Sequence, residues 1–84
     1  MCVLIAGKPA PAALRTISAT GAFLETNVRP ALGSRVELHH PDAGAIEGAV
    51  EAVCHDGIRL GFACTEQSVA FALAAITADM SKPA

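Results

Sequence analysis

The stretch Ile46–Cys64, IEGAVEAVCHDGIRLGFAC, decides the fold. Apolar and polar residues alternate along both of its halves, the period-two signature of half-buried strands. Ile46, Gly48, Val50, Ala52 and Cys54 share one face of the first half; Ile58, Leu60, Phe62 and Cys64 share one face of the second. Asp56-Gly57 lies between them and marks a hairpin. A two-residue Asp-Gly turn sets Glu51 opposite Phe62 on the apolar face. A three-residue turn, His55-Asp56-Gly57, pairs Cys54 with Ile58, Ala52 with Leu60 and Val50 with Phe62, so every inward position is apolar. A one-residue slip exchanges the two faces. The alternation therefore predicts the three-residue turn, with Gly57 left-handed in a bulge.

Working outward, Arg35–His40 alternates in the same way, with Val36 and Leu38 inward and Arg35, Glu37 and His39 outward. Pro41–Gly44 turns the chain and Arg29–Ser34 forms another turn region. Ala13–Ile17, Ala22–Thr26 and the apolar run Cys2–Ala6 are further strands. Gly7–Pro11 is expected to be a loop, because its two prolines remove ladder donors. Thr65 is an N-cap candidate, and a helical period runs from there to Met80. Val69, Leu73, Ile76 and Met80 form one stripe, with Phe71 roughly opposite, near Ala74, Ala75 and Ala78. The fold expected is all-β: six antiparallel strands closed into a barrel that removes their edges, with a C-terminal α-helix at one end. One domain spans residues 1–80, residues 81–84 form a disordered tail, and no internal repeat is evident.

Composition narrows the function. The chain has 84 residues, no Trp or Tyr and three Phe, so Val, Leu, Ile and Ala make its core. Net charge is −2, and the six basic residues Lys8, Arg15, Arg29, Arg35, Arg59 and Lys82 form no cluster. That argues against binding of a nucleic-acid polymer. Three cysteines without a Cys-x-x-Cys pair argue against a disulfide framework and a zinc knuckle and favour buried free thiols in a reducing compartment. The N-terminal apolar run lacks a signal peptide's basic flank, and the Ala-rich stretch 69–78 is too short to span a bilayer. The expectation is a soluble, cytoplasmic protein with no membrane contact.

No enzyme constellation stands out. Ser18, His39 or His40, and Asp42 or Asp56 supply triad residue types, but no nucleophile elbow surrounds Ser18. Adjacent strand residues point to opposite faces, so His39 and His40 cannot ligate one ion without distortion; no metal and no cofactor is expected. Two readings of Phe71 stand side by side. It packs on the domain's own barrel, or with Ala74, Ala75 and Ala78 it forms a seam for a homodimer or protein partner, where small residues let helices approach.

Four short strings in sequence, Ile17–Thr26, Pro30–Leu38, Ile46–Val50 and Gly57–Phe62, resemble those of a PilZ domain over roughly residues 13–78. The resemblance implies a six-stranded barrel in the bacterial cytoplasm that receives cyclic di-GMP through two motifs. Ser18 and Gly21 match the Ser-x-x-Gly part of one motif, while Thr16 stands where an acid or amide belongs. The Arg-x-x-x-Arg motif is missing. Arginine forks grip guanine edges and phosphates bidentately, so its loss removes the main clamps.

Three functions follow. The first is a non-enzymatic PilZ-like regulatory module, linked to cyclic di-GMP signalling, that acts through protein contacts with weak or lost nucleotide binding. The second is a genuine cyclic di-GMP receptor whose half-site of Arg15, Ser18 and Gly21 is completed by a partner or by residues upstream. The third is a small barrel unrelated to PilZ.

Overall fold

A computed structural model describes residues 1–81. Six strands, β1 (Cys2–Ile5), β2 (Pro9–Ser18), β3 (Gly21–Glu25), β4 (Arg35–His40), β5 (Gly44–Val53) and β6 (Gly57–Gly61), are followed by helix α1 (Glu66–Ser81). All pairings are antiparallel, and the order β1-β2-β3-β6-β5-β4 closes into a barrel. Leu4, Leu24, Leu38, Ile58 and Leu60 fill its interior without solvent exposure. The sequence expectation of an all-β, six-stranded barrel with one C-terminal helix thus describes the molecule. The tail expected at 81–84 lies outside the described residues, except that Ser81 closes α1.

The barrel consists of two equivalent three-stranded units. Shifting the β2–β3 pairs Leu14↔Leu24, Thr16↔Phe23 and Ile17↔Ala22 by 36 residues yields the β5–β6 pairs Val50↔Leu60, Ala52↔Arg59 and Val53↔Ile58. Each long strand carries a bulge at the equivalent place, Arg15 in β2 and Glu51 in β5. A structural repeat is therefore present where the sequence shows none. Between residues 13–25 and 49–61 only Ala13/Ala49, Gly21/Gly57 and Leu24/Leu60 are identical.

The bulge at Glu51 also corrects the hairpin register. Val50 pairs with Leu60, not with Phe62, and Val53 with Ile58. Three residues, Cys54, His55 and Asp56, separate β5 from β6, and the Cys54 amide donates to the Gly57 carbonyl at 2.7 Å. An extra residue inverts the alternation beyond it. Ala52 joins Arg59 on the outer face, and Cys54 is exposed. Cys64, beyond the end of β6, is exposed as well, so Cys2 is the one buried thiol. Gly57 is not left-handed; positive φ occurs at Gly7, Gly33 and Gly44.

Pro9 and Pro11 lie inside β2 rather than in a loop. They pair with Ile5 and Val3 of β1, whereas β3 joins β2 only from Ala13. The Pro11 carbonyl points away from β1 and accepts the Thr26 hydroxyl at 3.0 Å. In an antiparallel ladder a residue's N and O point to the same side. The two missing donors, two residues apart, therefore face the side where no strand waits.

Helix α1 starts in a reciprocal cap. The Thr65 amide donates to Ser68 Oγ at 3.0 Å and the Ser68 amide to Thr65 Oγ1 at 3.4 Å, as an N-cap residue and its third successor should. Its buried face is Ser68, Phe71, Ala72 and Ala75. Phe71 meets the rings of Phe62 and His40 edge-on, each centroid 6.2 Å away. His40 in turn holds the β4–β5 turn, its Nδ1 accepting the Asp42 and Ala43 amides at 3.0 and 3.2 Å. Rings already fill this end of the barrel, so the helix approaches through small residues and one phenylalanine. Val69, Leu73 and Ile76 face solvent, Leu73 being 61% exposed. Phe71 is buried against the barrel end, as the first of its two readings has it. It packs on its own barrel with Ala75, while Ala74 and Ala78 are half-buried. Of the four residues expected to form a seam, Phe71 and Ala75 are thus buried within the chain, and the large apolar side chains left exposed on the helix are Val69, Leu73 and Ile76.

Candidate functional site

The β2–β3 corner builds one wall of a surface cleft of about 210 Å³. Thr16 and Ser18 come from the end of β2, Thr20 from the two-residue turn, and Gly21 from the start of β3; Glu51 and Arg59 complete it from β5 and β6. The ladder explains the meeting. Thr16 pairs with Phe23, Phe23 with Arg59, and Arg59 with Ala52, so these four form one row across the outer face. The next row runs Ser18, Gly21, Gly61 and Ala49. Successive strands lie about 4.8 Å apart. Gly21 leaves the backbone bare beside Ser18, while Gly61 is covered by the Glu51 side chain.

The three residues of the sequence motif are therefore brought together, and Arg15 is not brought to them. Arg15 occupies the β2 bulge and reaches across to Glu25, its Nε and Nη2 donating to Oε2 at 3.0 and 2.7 Å. It lines no part of the cleft. A half-site that joins Arg15 to Ser18 and Gly21 is absent from this conformation.

Ser18 is engaged by its own turn. Its Oγ lies 3.1 Å from Thr20 Oγ1 and accepts the Thr20 amide at 3.3 Å. Gly21 has a structural reason to lack a side chain, since a Cβ there would overlap the Leu60 carbonyl oxygen of β6. The turn keeps its residue types through barrel closure, whatever it binds.

Sequence reasoning missed Glu51 and Arg59. Both are exposed, and neither side chain has an ion pair or hydrogen bond among the described residues. Glu51 lies over Gly61, its carboxylate where a Gly61 Cβ would project. The readable signal was Arg59 between two inward residues, Ile58 and Leu60, which forces it outward. Glu51 carried no such signal, because its placement depends on the bulge.

Among the described residues no group of three or more His, Cys, Asp or Glu side chains is arranged to hold a metal ion, and no helix is long and apolar enough to cross a membrane. His39 lies 3.5 Å from Glu37 on the outer face, and His40 lies beneath the helix. What the fold and cleft define is a closed antiparallel barrel, capped by one helix, with a small polar cleft on its outer wall. No protein-family model, no curated protein and no solved structure matches the chain.

Proposed function

We propose that the chain is a non-enzymatic, PilZ-like regulatory module linked to bacterial cyclic di-GMP signalling, acting in the cytoplasm by protein contact with weak or lost nucleotide binding. The observation that carries this reading is the state of Arg15. It is the one arginine near the Ser18–Gly21 corner in sequence, and it is bound to Glu25 and directed away from that corner. The cleft is small beside the roughly 300–1,000 Å³ of pockets that enclose drug-sized ligands, and it carries a carboxylate, Glu51, that repels phosphate. A contact surface is available instead in the exposed stripe Val69, Leu73 and Ile76.

One observation favours the alternative of a genuine receptor. Arg59 lines the same cleft as Ser18 and Gly21 and has no partner among the described residues. Isothermal titration calorimetry of the purified chain with cyclic di-GMP separates the two. The leading reading expects no heat and an unshifted melting curve at millimolar ligand. Stoichiometric micromolar binding overturns it in favour of the receptor.

A further inference from the structure

The cleft between β2, β3, β5 and β6 holds one guanidinium, Arg59, and one carboxylate, Glu51, both without a partner among the described residues. Other charged groups of the strands are engaged. Arg15 pairs with Glu25 and Arg35 with Glu47, and Arg29 donates to three carbonyls. Opposite charges on neighbouring strands would ordinarily pair with one another across the ladder. Here Glu51 is laid over Gly61 instead, because the β5 bulge displaces it from the Ala52–Arg59 pair. The result is a cleft with a donor fork, a separate acceptor, hydroxyls at Thr16, Ser18 and Thr20, and Gly21 without a side chain.

We propose that this cleft binds a small zwitterion of the α-amino-acid class, its carboxylate on the Arg59 guanidinium and its ammonium on the Glu51 carboxylate. Charge selects this class. A phosphate or dicarboxylate gains at Arg59 and is repelled at Glu51; an amine alone gains at Glu51 and is repelled at Arg59. A zwitterion satisfies both with charge-assisted hydrogen bonds, which are about twice as strong as neutral ones. Size selects it too, since about 210 Å³ admits a single small metabolite. Gly21, which has no side chain, admits the ligand backbone close to the sheet, and the hydroxyls of β2 and its turn face a short or polar side chain. Both charges are solvent-exposed, and exposed pairs are individually weak, so the affinity expected is millimolar. This inference shares its cleft, and Arg59, with the receptor alternative, but it does not rest on nucleotide binding, because Glu51 on β5 gives the site its second, opposite charge.

The test is a titration of the ¹⁵N-labelled chain with glycine, L-serine and L-glutamine, followed in ¹H–¹⁵N spectra. Ethanolamine and glycerate, serine analogues that lack the carboxylate and the ammonium respectively, serve as controls. The expected result is a saturable shift of the Gly21 and Gly61 amides by at least one amino acid in the millimolar range and none by either control. Glu51→Gln and Arg59→Gln, outward substitutions that leave the core intact, should each weaken binding by about twofold to fivefold. The absence of a saturable shift with all three amino acids overturns the proposal. So does an equal response to ethanolamine or glycerate, or unchanged binding in both variants. Cyclic di-GMP binding or its absence leaves each of these outcomes readable.

Discussion

Gly21 lies directly against the Leu60 carbonyl, so closely that a Cβ on Gly21 would overlap that oxygen. The same contact recurs at the other end of the β3–β6 ladder, where a Cβ on Gly57 would overlap the Leu24 carbonyl oxygen. The β3–β6 ladder relates the two, pairing Gly21 with Gly61 and Glu25 with Gly57. The two three-stranded units close on each other along this seam, and each end of it requires a glycine. Neither residue has positive φ, so the requirement is space and not backbone conformation.

Gly21→Ala and Gly57→Ala should therefore each destabilise the barrel by at least about 1–3 kcal/mol, the range for overpacking, because the obstacle is a backbone carbonyl that cannot rotate away. Gly61→Ala meets only the flexible Glu51 side chain and should change stability by less than about 1 kcal/mol. Urea denaturation of the three variants checks the ranking. A stable Gly21→Ala protein would return that glycine to a ligand-facing role.

The alternation of Val36 with Leu38 and of Ile58 with Leu60 was legible as strand and core, and the Thr65 cap as a helix start. What escaped reading depends on contacts distant in sequence. Bulges at Arg15 and Glu51 leave no local signature, yet they set the hairpin register, turn Arg15 away from Ser18 and lay Glu51 over Gly61 instead of opposite Arg59. Pro9 and Pro11 read as loop residues because the side of β2 that lacks a partner is a property of the closed barrel. The helix face was hidden for a steric reason: Val69, Leu73 and Ile76 are larger than Ser68, Ala72 and Ala75, but the ring-filled barrel end accepts the smaller set. The Ser18–Gly21 corner was legible as a turn of defined residue types, and its glycine is explained by Leu60 on another strand.

The two faces of α1 should respond oppositely. Phe71→Ala removes a ring that is 3% exposed and should cost about 3–5 kcal/mol. Leu73→Ala, on the open stripe, should stay within about 0.5 kcal/mol. Leu73→Glu should leave the monomer folded and abolish any association through this stripe, which sedimentation of wild type and variant reads directly. Phe71→Glu should unfold the domain.

Leu24 and Leu60 occupy equivalent places in the two units and are both fully buried. Leu24→Ala and Leu60→Ala should each cost about 2–5 kcal/mol, with similar values if the two halves are packed alike. Thermal or urea unfolding gives the comparison. A large loss at one position and almost none at the other would show that only one half carries the core.

Arg29 fastens the β3–β4 crossover to the β5–β6 turn. Its Nη1 donates to the Thr26 and Val28 carbonyls at 2.6 and 3.0 Å, and its Nη2 to the His55 carbonyl at 2.8 Å. The carbonyls lie on two separate segments, so the contact needs a planar fork with donors on two nitrogens. A lysine supplies one nitrogen and a flexible stem. Arg29→Lys keeps the charge and should still lose the His55 bond, at a cost of about 1–2 kcal/mol for a hydrogen bond to a charged group that is partly solvent-exposed. Hydrogen exchange checks this locally. The Cys54 amide, which closes the turn onto Gly57, should exchange faster in Arg29→Lys, while amides of the β1–β4 ladder keep their protection. Equal exchange at Cys54 in both proteins would mean that the turn is held by its own backbone and that Arg29 serves only the crossover.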